Sequence, residues 1–198
     1  MRRRGLLLLL AGSALPASFQ VRASGAAAPE PEGASPWDSL RGGGHVLLMR
    51  HALTDPGIGD PPGFVLGQCA TQRNLSAPGR RHAEALGAAL HAHGTPIGAV
   101  WSSRWCRCLD TARLTFGRVE AAPMLDSMFR DDDAAVQAKL TQVRARLAGL
   151  LGPANAALVT HDVNIRALTG EAVAPGEILV LRVADGKLLA AGRIGSPV

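Results

Sequence analysis

Tyrosine is absent from the 198-residue chain, and the aromatic set is confined to four phenylalanines and three tryptophans. A chain this poor in rings offers no platform on which nucleobases stack. Cysteine occurs three times, at 69, 106 and 108, an odd number that leaves a thiol over after any pairing. Their C…C-x-C spacing matches no familiar zinc pattern. No apolar run reaches the ~20 residues that a membrane-crossing helix needs. Acidic residues are missing from the first 23 positions, which hold Arg2, Arg3, Arg4 and Arg22. The formal charge of +5 therefore has a local origin. Without those four arginines, 21 − 4 = 17 basic residues face 16 acidic ones. A basic stripe for nucleic acid is thus excluded along with the stacking platform.

The amino-terminal arginines precede a short apolar run, Leu6 to Leu15, and then small residues. This is the pattern of a secretory signal peptide, assigned to residues 1–23 with cleavage after Ala17 or, preferably, Ala23. Export to the periplasm or the medium follows, with no stable membrane insertion after processing. An oxidising compartment also permits a disulfide. Residues 24–42, rich in Ala, Pro, Gly and Ser, read as a flexible lead-in. Residues 43–198 then form one domain, long enough for a sizeable core.

Within that domain, strand-like and helix-like runs alternate. Residues 45–50 and 98–103 read as strands, 119–125 as a short third strand, and 155–161 as another. Helices are expected over 75–94, capped by Ser76 with Pro78 in its first turn, and over about 104–115, 132–152 and 163–170. Residues 176–194 read as a hairpin turning at Asp185-Gly186. The alternation predicts a three-layer α/β/α sandwich around a mainly parallel sheet.

Ligands of such sheets bind beyond the carboxyl ends of the strands. Three strand ends carry polar chemistry: Arg50-His51, then Arg104 and Arg107 after the second strand, then Thr160-His161-Asp162. One histidine ending a strand is ordinarily a loop residue. Three coincident ends offering guanidinium and imidazole groups point instead to an electropositive pocket. Arginine forks match phosphate oxygens, and an imidazole with one free ring nitrogen can attack phosphorus. Phosphoryl transfer depends mainly on positioning and on stabilising negative charge.

The stretch "LLMRHALT" resembles the signature of the histidine phosphatase superfamily, with Ala52 in place of the usual glycine. "WSSRWCRCLDTA" is similar to that family's second motif and "LVTHDVNIRALTG" to its third. The resemblance spans about residues 44–183 and implies a phosphoglycerate mutase-like fold. It also implies a phosphoric monoester hydrolase that needs no metal or other cofactor. His51 would be the nucleophile; Arg50, Arg107 and His161 would hold the phosphoryl oxygens. Asp126 lies in the region where relatives keep a general acid, although the usual Leu-x-Glu pattern is missing. Asp131, Asp132 and Asp133 are rivals that a helix N-terminus would also explain. Arg73, Asn74 and Thr54, after the first motif, are candidate substrate contacts. Arg104 reads as surface charge. A disulfide from Cys69 to either Cys106 or Cys108 is expected, because both segments flank the pocket. The substrate would be a small-molecule or envelope phosphomonoester, an envelope phosphosugar being one option. Two alternatives stand beside this: a binding module that holds a phosphoryl ligand without turnover, and a phosphoglycerate mutase-like mutase.

Overall fold

The computed structural model describes residues 35–149, 153–184 and 186–195. The segment expected to be a signal peptide, most of the expected lead-in and the hairpin residue Asp185 lie outside the described residues. Eleven helices and strands follow in order: α1 (Pro36–Gly42), β1 (His45–Arg50), α2 (Ala77–Ala92), β2 (Ile97–Ser102), α3 (Cys106–Phe116), β3 (Glu120–Ala121), α4 (Asp133–Ala148), β4 (Asn155–Thr160), α5 (Asp162–Thr169), β5 (Ile178–Ala184) and β6 (Lys187–Ile194). The sheet order is β3-β2-β4-β1-β5-β6. Strands β3, β2, β4 and β1 run parallel, and the β5–β6 hairpin closes the sheet antiparallel to β1. No helix among the described residues is long and apolar enough to cross a membrane.

The central strands are apolar without alternation because both faces are covered. Leu47 and Met49 of β1 face a layer that includes Leu86 and Leu90 of α2 and Ala112 of α3. Val46 and Leu48 face the opposite layer, with Leu140 and Val143 of α4 and Ile165 of α5. Helix α2 begins as expected: Ser76 Oγ accepts from Gly79 N at 3.1 Å. Gly79 is required at that point, because a Cβ there would lie 1.9 Å from the Leu53 carbonyl oxygen. The α2 N-terminus is thereby pressed against the loop that leaves β1.

Two expectations change. Residues 36–42, expected as the end of a flexible lead-in, form α1, and its Leu40 is fully buried. Buried Asn155 fixes this helix by donating to Leu40 O at 2.7 Å. The third strand is shorter than 119–125. It stops at Ala121, and Pro123, which lacks an N–H, begins a 3₁₀ turn to Leu125.

Candidate active site

The sheet order makes β2, β4 and β1 adjacent, so their carboxyl ends meet. His51 N donates to Thr160 O and Ser103 N donates to Val159 O, each at 3.0 Å, which carries the parallel ladder one residue past the strands. His51, Ser103 and His161 therefore occupy neighbouring positions on one rim. The His51 and His161 rings meet edge to face with centroids 5.5 Å apart. Around them opens a cavity of about 490 Å³ whose lining includes Arg50, His51, Arg73, Arg107 and His161.

His51 is 7% exposed. Its Nδ1 lies 2.9 Å from Ala52 O, so that nitrogen carries the hydrogen and Nε2 keeps its lone pair. Burial drives the His51 pKa down to about 3; the Ala52 bond opposes this, and Arg107, Arg50 and Arg73 add to the lowering. His161 is also held well below 6.5, by burial first and then by His51 and nearby cations. Its Nε2 lies 2.9 Å from Ser103 Oγ and 3.6 Å from Cys108 Sγ. Burial raises the Cys108 thiol to about 12, so it remains protonated.

Both histidines are neutral in the fold and become cationic below pH 6.5 when unfolded. The unfolded chain then binds more protons, so stability rises with pH in this window. The His51 contribution is expected to be full above pH 6.5 and to decline towards pH 3, by up to about 1.4 kcal/mol per pH unit, and the His161 contribution falls in the same direction. Urea titrations from pH 4 to 8, compared between the parent and His51→Gln, would measure the His51 share.

The guanidinium groups come from three elements. Arg50 ends β1 and donates from Nη1 to Val173 O at 2.9 Å. Arg73 donates to Gly57 O at 2.6 Å. Arg107, in the first turn of α3, is 5% exposed and donates to Asp60 Oδ1 at 2.7 Å. Arg50, Arg73 and Arg107 each keep a buried Nε without a hydrogen-bond partner. Buried donors are nearly always satisfied. Three unpaired guanidinium N–H groups beside a neutral imidazole make a receptor for an anion with several oxygens.

One hydroxyl joins the segment that leaves β1 to α3. Thr111 Oγ1 accepts from Ala52 N at 3.0 Å and donates to Arg107 O at 2.7 Å, and both Thr111 and Ala52 are fully buried. Thr111→Val would leave the Ala52 N–H unpaired, for an expected loss of about 1–3 kcal/mol in urea denaturation.

Asp126 lies at the cavity but differs from its expected setting. It accepts from Arg104 N at 2.8 Å, from Arg104 Nε at 2.7 Å and from Ser103 Oγ at 3.4 Å. Such a carboxylate is an acceptor holding Arg104 in place. Arg104 is exposed, as expected of a surface charge, and also lines the cavity. The rival acids are structural: Asp132 caps α4 by accepting from Ala135 N, and Asp131 pairs with Lys139 at 2.6 Å. Asp133 opens α4 in its first turn.

Thr54 and Asn74 do not line the cavity. Thr54 is buried in an isolated bridge with Leu75, and Asn74 donates to Cys69 O and Gln72 O within its own loop. Asp60, Trp105 and Gln72 hold the site together. Asp60 accepts from Arg107, from Arg73 N at 3.0 Å and from Trp105 Nε1 at 2.9 Å. Burial would raise its pKa, but these bonds outweigh that and hold it below the usual carboxylate value. Trp105 sets its ring edge to face against His161, with centroids 5.4 Å apart. Gln72 Oε1 accepts from Cys106 N at 3.0 Å and so caps α3. The Cys69–Cys106 disulfide ties this same loop to the start of α3, leaving Cys108 free and buried.

The fold recurs in solved structures. An alpha-ribazole phosphatase from Shigella flexneri aligns with a TM-score of 0.54 at 17% identity, covering 74% of this chain and 94% of that one. The protein histidine phosphatase SixA, complexed with tungstate, aligns at 0.54 and 16%, covering 76% and 96%. A phosphoserine phosphatase mutant from Entamoeba histolytica, in complex with phosphoserine, aligns at 0.56 and 13%, covering 75% and 95%. These likenesses concern the fold. No curated protein matches the chain. The family model described as histidine phosphatase superfamily (branch 1) matches residues 46–133, a span that runs from β1 through His51 and α3 to the start of α4. That span holds two of the three strand ends, so this part of the chain is similar to the histidine phosphatase superfamily, and His161, the third, lies beyond the matched residues.

Proposed function

We propose that this protein is an exported phosphatase that hydrolyses a phosphomonoester through a phosphohistidine at His51. The reading is carried by one observation: three buried, unpaired guanidinium Nε groups surround a neutral imidazole whose Nδ1 is tied to Ala52. His51 Nε2 attacks phosphorus, the bond to the leaving oxygen breaks, and the phosphoryl group passes to the imidazole. Arg50, Arg73, Arg107 and His161 stabilise the charge on its equatorial oxygens. Water then attacks the phosphohistidine, releasing phosphate and restoring His51. The positive charge comes from the chain's own arginines.

Export rests on residues 1–23 and accords with the Cys69–Cys106 bond. The domain is taken to begin within the lead-in, at α1. Turnover of p-nitrophenyl phosphate by the mature protein tests the proposal; the parent protein is expected to turn over and His51→Ala is not.

Proton supply to the leaving group bears on a second reading. Each of the four carboxylates lining the cavity is ion-paired to a basic side chain: Asp60 to Arg107, Asp126 to Arg104, Asp131 to Lys139 and Asp162 to Arg166. This pairing favours a phosphoryl-binding module without turnover, and the same assay separates the two. Within the phosphatase reading, Asp126 positions Arg104. Asp126→Asn is expected to lower kcat/KM by about tenfold for p-nitrophenyl and alkyl phosphates alike, the size of one weakened charge-assisted bond. A defect confined to alkyl phosphates, whose leaving oxygens need a proton, would assign Asp126 as the general acid.

A further inference from the structure

Beyond the cationic cage the cavity wall changes character. Ile58, Phe64 and Leu66, from the loop after β1, line it together with Phe129, Val163 and the ring of Trp105. Five large apolar residues are exposed among the described residues. Two of them, Ile58 at 99% and Phe129 at 70%, line this cavity, and Leu53 and Val65 belong to the loop that carries Ile58. Bare apolar surface is thus gathered at the mouth of the site. Scattered single residues would need no explanation, but an apolar set continuous with a ligand cavity marks a contact surface. A cavity of about 490 Å³ is also ample for a drug-sized ligand, far more than a phosphoryl group fills.

The polar lining argues in the same direction. Recognition of a sugar needs free hydrogen-bonding groups for its hydroxyls. Here the four cavity carboxylates are each engaged by a cation, with Asp162 keeping Oδ1 without a hydrogen-bond partner, whereas the Ile58 and Phe129 side chains are uncovered. The uncovered surface beyond the cationic cage is therefore mainly apolar.

From this wall, resting on the phosphatase reading above, we infer that the substrate is an amphiphilic phosphomonoester whose leaving group carries an apolar alkyl or aryl body, in place of a phosphosugar. The phosphoryl group sits among Arg50, Arg73 and Arg107. The apolar body lies between the Ile58 loop and Phe129.

A series of para-substituted phenyl phosphates tests this with the leaving oxygen nearly constant: hydrogen, methyl, butyl, octyl and glucosyl. The expected result is a kcat/KM that climbs along the alkyl series, about tenfold or more from hydrogen to octyl, with the glucosyl member no better than the parent. The Ile58→Ser/Phe129→Ser double variant should flatten that climb. Both positions are exposed, so folding is not at stake. Supplying the octyl compound as monomer or dissolved in phosphatidylcholine vesicles distinguishes the source. A rate kept in vesicles identifies a membrane-held amphiphile, a rate lost there a soluble one, and each upholds the apolar body. Turnover that is flat across the alkyl series, or highest for the glucosyl compound, overturns the inference and leaves the phosphatase reading standing. A flat series would also fit an apolar rim used to dock a phosphoprotein. No turnover of any member, with no label on His51, overturns both.

Discussion

His51→Ala is expected to lower kcat on p-nitrophenyl phosphate by at least about 10⁴-fold, the scale on which nucleophiles of covalent mechanisms respond to deletion. The size follows from the way the imidazole is prepared. Burial and three arginines keep it neutral down to about pH 3, and the Ala52 bond fixes its tautomer. The lone pair on Nε2 is therefore available throughout the neutral range without a separate base. An alanine there leaves the cationic cage able to bind phosphate but without a group to accept the phosphoryl. The variant should keep its affinity for inorganic phosphate within a few-fold, measured by calorimetry, while turnover disappears. A His51→Ala protein that still turned over at a tenth of the parent rate would remove the covalent mechanism.

Arg107→Met should have the second largest effect, in two currencies. Catalysis is expected to fall about 10²–10³-fold in kcat/KM, as for the loss of one preorganised donor at the developing charge. Stability should also fall, because Asp60 would keep a desolvated carboxylate without its cation. Breaking a buried pair from one side costs about 3–5 kcal/mol. The pair is well enclosed, with side-chain exposures of 6% for Arg107 and 7% for Asp60. Asp60 still accepts from Arg73 N and Trp105 Nε1, which places the expected loss at the low end. Adding Asp60→Asn to Arg107→Met should restore much of the stability and none of the activity. Urea denaturation and p-nitrophenyl phosphate kinetics on the single and double variants read the two effects separately.

The strands and helices were legible because their causes are local. The unbroken apolar run of β1 and the Ser76 cap with Pro78 in the first turn of α2 can each be read in a short window, and both appear as expected. The three strand ends were legible for a similar reason: the polar residues lie at or within a few positions of the end of a recognisable strand. What stayed hidden depends on partners far away in sequence. Asp60 lies in a turn rich in Pro and Gly, and nothing near it announces Arg107, 47 residues on. Its ion pair is formed only when the loop folds over α3. Arg104 is exposed as read, but its pairing with Asp126, 22 residues later on a different element, had no local sign. Asn74 and Thr54 differ in the opposite way. Polar residues beside a motif suggested substrate contacts, but the Asn74 side chain bonds within its own loop and Thr54 is buried in a backbone bridge to Leu75. Trp105 was the one missed residue with a local signal, being an aromatic between Arg104 and Arg107 inside the second motif.

The central claim is that His51 carries the phosphoryl group. Mixing the mature protein with labelled phosphomonoester, quenching in alkali where phosphohistidine survives, and mapping the label by mass spectrometry tests it most directly. The account predicts label on His51 that is absent from His51→Ala. Label on another residue, or phosphate release with no labelled protein at any quench time, would contradict it.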